Sequence, residues 1–115
     1  MNFDWINTIE EISVASICSI ENKTPVEIVS DPEIKASLIK MISEMVRVGR
    51  FFQVDFPENF INHTLKKASL LNESFDISKS ECIEKIGFIT TLAEEKKIRV
   101  NQNQKILDIL KEQNG

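Results

Sequence analysis

The side chains able to do chemistry are few and scattered. The chain holds one histidine, His63, two cysteines, Cys18 and Cys82, and no tyrosine. A zinc site needs several nitrogen or sulfur ligands at short spacing, and one histidine with two distant cysteines does not supply them. Both cysteines sit inside apolar helical patterns with no nearby partner, which reads as reduced core thiols in a cytoplasmic protein. Glu10–Glu11 and Glu94–Glu95 are carboxylate pairs, but neighbours on a helix point about 100° apart. They read as solvated helix faces rather than as an acid–base couple. The lone glycine of "VGRFF" makes no phosphate loop. The residues therefore imply no catalytic centre, no metal and no cofactor, and the expectation is a protein that is not an enzyme.

The elements that would carry these residues are clearly marked. At 115 residues, 42% hydrophobic and 28% charged, the chain has the size and composition of one globular domain, spanning 1–115. Only three glycines and three prolines are present. An all-β protein would need turn residues far more often, so the expected class is all-α, a bundle of five to six helices with short loops. Four segments, "TPVE" (24–27), "SDPE" (30–33), "DFPE" (55–58) and "SKSE" (78–81), begin with a capping residue and carry glutamate three places later. That is the capping-box pattern, and three of the four add a proline in the first turn. The apolar periodicity then predicts helices from Phe3 or Asp4 to Ile20, a short turn Pro25–Val29, Pro32 to about Phe51, Pro57–Leu71, Lys79 to about Lys97, and Gln102–Gln113. The first is expected to present Trp5, Ile9, Ile12 and Ala15 or Ser16 on one side. Gly49 is expected to weaken the end of the third by about 1 kcal/mol relative to alanine. No apolar run approaches the roughly 18 residues of a membrane span, and the acidic opening "MNFDWINTIEEISV" lacks the basic start of a signal peptide.

The stretch "FFQVDFPENF", residues 51 to 60, holds four of the seven phenylalanines. Phe52 continues the apolar stripe of the third helix, and Phe56 and Phe60 fit a staple across a helix entry. Phe51 lies a quarter turn off that stripe, so it is the candidate contact residue.

The segment "NHTLKKASLLN" places Phe60, Ile61, Thr64, Leu65 and Ala68 on one helix face and His63 on the solvent side beside Lys67 and Leu70. With His63, Leu65 and Lys66 in these positions it resembles histidine-containing phosphotransfer domains. The resemblance implies a four-helix bundle in which His63 is the phosphoacceptor. The chain departs from that family at Lys67, where a glycine leaves room around the ring.

Charge supplies the remaining pointer. Residues 1 to 34 carry seven acids (Asp4, Glu10, Glu11, Glu21, Glu27, Asp31 and Glu33) against Lys23 alone, a net −6, while residues 35 to 115 carry eleven acids against thirteen bases. An acidic third with no chemistry of its own points to a basic protein partner. The expected function is a small inhibitor or immunity protein that neutralises a basic toxin such as a nuclease, with Asp4, Glu10 and Glu11 as the partner-binding acids and Phe51 as the apolar anchor. Phosphotransfer through His63 and a structural adaptor role are the alternatives. Lys96, Lys97, Arg99 and Lys105 form a weak basic cluster, but Glu94 and Glu95 beside them and a pI near 5.0 argue against nucleic acid.

Overall fold

The computed structural model describes residues 3–114, and among them six helices and no strand. They are α1 (Trp5–Glu21), α2 (Pro25–Ser30), α3 (Pro32–Phe51), α4 (Phe60–Ala68), α5 (Lys79–Glu95) and α6 (Asn101–Asn114). The all-α bundle expected from composition is what the chain forms.

α1 is the central helix. It packs against α2, α3, α5 and α6, and every residue from Ile12 to Cys18 is buried. The expected single apolar side is therefore corrected: this helix is enclosed all round along its second half. The small residues Ser13, Ala15 and Ser16 let neighbours approach its back. The hydroxyl of Ser13 donates to the Ile9 carbonyl at 2.5 Å, so a buried polar group remains paired inside the helix. Around this axis one contiguous core collects Ile28, Leu38, Met41, Ile42, Met45, Ile86, Ile89 and Leu110, none of which reaches solvent.

The helix starts follow local chemistry unevenly. At α2 the capping box closes in both directions: the Glu27 N–H donates to Thr24 Oγ1 at 3.3 Å and the Thr24 N–H donates to Glu27 Oε1 at 2.8 Å. The backbone bond from Thr24 is the main reason that the Glu27 carboxyl is held below its ordinary value. At α3 the cap is Asp31, not Ser30: Asp31 Oδ1 accepts from the Glu33 and Ile34 N–H groups, while the Ser30 hydroxyl turns back to the Val26 carbonyl. At α5 Ser78 accepts from the Glu81 N–H at 3.1 Å. The box expected at Asp55 does not form. Residues 58 and 59 make a turn, Asn59 adopts a left-handed conformation, and α4 begins at Phe60 without a side-chain cap. Packing decides this corner, because the Phe56 ring lies 5.3 Å from Phe60 and also covers Gly49. α4 also ends at Ala68, three residues short of the expected Leu71.

α6 has no cap of its own, and a carboxylate from α3 supplies it. Glu44, only 6% exposed, accepts from the Gln102 N–H (3.0 Å), the Asn103 N–H (2.9 Å) and the Asn103 Nδ2 amide (2.8 Å). The same Asn103 amide donates to the Met41 carbonyl at 3.0 Å, and Arg47 Nη1 donates to the Arg99 carbonyl at 3.2 Å.

Gly49 has a packing role that its helix propensity does not show. A Cβ there would stand 2.7 Å from Phe56 Cζ and 3.2 Å from Trp5 Cε3. Gly49→Ala should therefore destabilise the protein by about 1–3 kcal/mol through overpacking, reversing the gain of about 1 kcal/mol that helix propensity alone would give. A urea melt decides the sign. Glu44→Ala should cost about 2–4 kcal/mol, since it leaves buried donors without an acceptor. Hydrogen exchange at the Gln102 and Asn103 amides should rise with it; unchanged protection there would show that the capping bonds are dispensable.

Candidate functional site

The residues expected to act are placed very differently from one another. Glu10 is 7% exposed, and Lys67 Nζ of α4 donates to its Oε1 at 2.6 Å. The expectation of a solvated face is corrected for Glu10: its carboxylate is held inside the fold. That hydrogen bond and the charge of Glu10 raise the Lys67 ammonium above its ordinary value. Asp4 is exposed, but its carboxylate caps α1, accepting from the Asn7 N–H at 3.1 Å and from Asn7 Nδ2 at 2.8 Å. Glu11 is half-buried on α1.

His63 is exposed on α4 with Phe60, Thr64, Leu65 and Ala68 buried behind it, as its helix face predicts. It lines a shallow hollow with Pro57, Asn59, Asn62 and Lys66. Lys67, which stands where the phosphotransfer family has glycine, carries its ammonium across to α1.

Cys18 and Cys82 are free and buried. Burial pushes both thiols up, and in each a nearby serine offsets part of the effect, Ser74 for Cys18 and Ser16 for Cys82. Among the described residues no group of histidine, cysteine and carboxylate side chains is arranged to hold a metal.

What the fold does assemble is an aromatic ridge. Phe3 and Trp5 at the start of α1 meet at 5.0 Å between ring centroids, edge to face. Phe88 of α5 lies 4.8 Å from Phe3 on one side. On the other side Trp5 stacks on Phe52 at 6.2 Å, and Phe52 meets Phe51 edge-on at 5.6 Å. Five rings thus run in sequence from α5 across the start of α1 to the end of α3. Phe51 is 54% exposed, Phe88 44% and Phe52 36%. Lys85 Nζ lies 5.8 Å from the Phe3 ring centre, and Lys96 Nζ lies 5.8 and 6.0 Å from those of Phe51 and Phe52.

The ridge is held from beneath. Gly49 admits Phe56 and Trp5 against α3. The chain then turns at Gln53, which has φ of 64°, and the Val54 N–H closes onto the Gly49 carbonyl at 3.0 Å. This is a Schellman-type end, and it brings the backbone round between Phe52 and Phe56. Of the four phenylalanines in 51–60, Phe56 and Phe60 form the core corner and Phe51 and Phe52 form surface. Phe88 was identifiable in principle, because it lies roughly 100° from Ile89 and 200° from Ile86 around α5, off the stripe of Cys82, Ile86, Ile89 and Ala93. Phe3 and Trp5 gave no comparable signal, since a helix start rich in aromatics looks like core.

A second concavity, about 430 Å³, lies toward the other end of α1, floored by isoleucines that include Ile17, Ile34 and Ile106. Glu21, Asp31 and Glu33 line it together with Lys23 and Lys105, so its charges largely cancel. No helix among the described residues is long and apolar enough to cross a membrane.

No protein-family model matches this chain, and no curated protein matches it. Among solved structures it is similar to the crystal structure of a PanE/ApbA family ketopantoate reductase from Ralstonia eutropha JMP134, with a TM-score of 0.78 and 15% sequence identity. The likeness covers 93% of this chain and 39% of that one, so the chain spans about two-fifths of that protein's length. At this identity the likeness is one of fold.

Burial predicts the behaviour of the two thiols. In native protein at neutral pH, neither Cys18 nor Cys82 should react with a disulfide reagent at more than a small fraction of the rate of a free thiol, because the thiolate is disfavoured and shielded. Both should titrate once the chain is unfolded in urea. Prompt reaction of either in the native state would contradict the enclosed packing of α1 against α5.

Proposed function

We propose that this chain is a non-catalytic protein-binding domain and that the aromatic ridge is its contact surface, with Phe51 as the principal anchor. The observation that carries the reading is the run Phe88–Phe3–Trp5–Phe52–Phe51, five rings each in contact with the next, of which three are substantially exposed. A folded chain gains by burying aromatic surface, and large exposed apolar patches mark interaction sites. Rigid aromatic side chains also lose little entropy on binding and dominate interface energetics. The partner is a protein. The likeness to a reductase in which the corresponding fold makes up 39% of a longer chain supports a helical module that works beside other protein structure.

The narrower reading, an inhibitor of a basic toxin, rests on the acids of residues 1 to 34. Most of these have employment inside the fold. Glu10 pairs with Lys67, Asp4 and Asp31 cap helices, and Glu27 closes a capping box. Glu11, Glu21 and Glu33 are left to face such a toxin. Phosphotransfer through His63 makes a separate demand, an acid-labile phosphate on that ring that His63→Gln would abolish.

Phe51→Ser, Phe52→Ser and Phe88→Ser should each leave the melting temperature within a few degrees of the parent. A partner captured by the parent domain should be lost from the Phe51→Ser form, with a weakening of about 2 kcal/mol or more in titration calorimetry. Retention of the partner at full affinity by all three variants would overturn the ridge as the contact surface.

A further inference from the structure

The ridge carries a charge that neither the chain as a whole nor its acidic first third shares. The net charge is −4, yet cations gather where α3 ends beside the end of α5. Arg47 and Arg50 precede Phe51 on the last turns of α3, and Lys96, Lys97 and Arg99 follow α5 directly. The two segments are tied together by the bond from Arg47 to the Arg99 carbonyl and by Lys96 lying over Phe51 and Phe52. Among the described residues the one ion pair is Lys67–Glu10, so none of these five cations is neutralised by a carboxylate within the fold. Asp4, the acid closest in sequence to the ridge, is already bonded to Asn7. Along α5 and its C-cap, Lys85, Phe88, Leu92 and Lys96 recur at spacings of three and four, which stacks them on one face. An aromatic surface is thus flanked at both ends by ammonium groups.

We infer that the ridge is built for an acidic partner: a protein segment bearing carboxylates on either side of an apolar or aromatic side chain. This deepens the protein-binding reading and rests on it. The apolar side chain of the partner packs on Phe51 and Phe52, and the carboxylates reach Lys96 and Arg50 at one end and Lys85 at the other. Each of the two ammonium groups, Lys85 and Lys96, already lies over a ring, so its charge is presented with little further ordering. Unpaired cations at a rim chiefly raise the association rate and select the sign of the partner. Aromatic rings among cations also suit single-stranded nucleic acid. The chain's net charge of −4, however, repels a polyanion that runs on beyond the ridge, whereas a short protein segment places its carboxylates at the ridge cations alone. The sign is opposite to that of the basic toxin expected from the chain's first third.

Trp5 is the chain's one tryptophan, there is no tyrosine, and Trp5 lies in the ridge between Phe3 and Phe52. Its fluorescence is therefore a direct reporter. The test titrates the protein with a synthetic peptide carrying glutamates around a phenylalanine–leucine pair, and with versions in which glutamine or lysine replaces every glutamate. An unstructured single-stranded oligonucleotide and anionic phospholipid vesicles are the two further arms. The glutamate peptide should bind, and its affinity should fall by about tenfold in the Lys96→Glu protein and again when salt is raised from low to physiological strength. Lys111→Glu, the same charge change at an exposed position of α6, should leave it nearly unaltered. Tighter binding of the lysine or glutamine peptide at the ridge overturns the acidic assignment and leaves the protein-binding reading standing. Preference for the oligonucleotide or the vesicles over every peptide, or no response of Trp5 to any ligand, overturns both.

Discussion

The bundle depends on one long-range contact, the Glu44 carboxylate at the start of α6. Every helix begins with N–H groups that its own turns cannot satisfy. α1, α2, α3 and α5 meet this locally with Asp4, Thr24, Asp31 and Ser78. α6 follows Val100, whose side chain has nothing to offer, so its donors are met from a helix more than fifty residues earlier. Burying a carboxylate is costly, but three charge-assisted hydrogen bonds and the positive end of the α6 dipole offset much of that cost. The contact is also directional. It fixes where α6 starts against α3, which apolar dispersion between Met41, Met45, Ile106 and Leu110 would not do as sharply. One buried polar atom remains without a partner as a consequence, Asn103 Oδ1, because the amide nitrogen of that residue is directed at Glu44 and Met41.

That anchorage bears on the surface as well as on the core. Glu44 and Phe51 lie on the same helix about two turns apart, so locating α6 against Glu44 also fixes the end of α3 relative to the segment joining α5 to α6. Arg47 repeats the tie one turn further on, through the Arg99 carbonyl. From there the ridge follows by contact: Lys96 over Phe51 and Phe52, Phe52 on Trp5, Trp5 against Phe3, Phe3 against Phe88. Gly49 sets the depth of this layer, since any larger residue would push Phe56 and Trp5 outward. Exposed aromatic surface costs solubility, and here its geometry is fixed by the same side chains that close the core.

Local patterns in the sequence located the helices well and their tertiary roles poorly. The reciprocal box at Thr24 and Glu27 and the proline-started α3 were legible because all their partners lie within four residues. The box at Asp55 was equally well formed on paper, and it failed because Phe56 gains more from burial against Gly49 and Phe60 than Asp55 would gain as a cap. Glu10–Lys67 and Glu44–Asn103 had no local signature at all, since each joins residues 57 or 59 positions apart. The enclosure of α1 was visible only as an excess of small residues, a signal that reads equally well as weak helix propensity. Phe51 was identifiable because two adjacent rings on one helix cannot share a buried face. Its neighbours in the ridge come from three helices, and that convergence is a property of the fold.

The acidic first third shows why charge counted along a chain differs from charge presented to a partner. Helix N-termini attract carboxylates for reasons of their own, and α1, α2 and α3 all begin within the first 34 residues. Three of the seven acids there accept or complete N-cap bonds and a fourth is enclosed with Lys67. A carboxylate bonded to backbone N–H groups has part of its field cancelled at the helix end, so its contribution at a distance is smaller than its formal charge. Among the basic residues of the later helices, Lys67 is bonded to Glu10 and Arg47 to the Arg99 carbonyl. Arg50, Lys85, Lys96 and Lys97 stand outside any ion pair among the described residues; Lys85 lies over the Phe3 ring and Lys96 over Phe51 and Phe52. The surface potential at the ridge is therefore set by a few unneutralised cations rather than by the sum over the sequence, and a partner approaching within a Debye length of about 10 Å meets that local sign first.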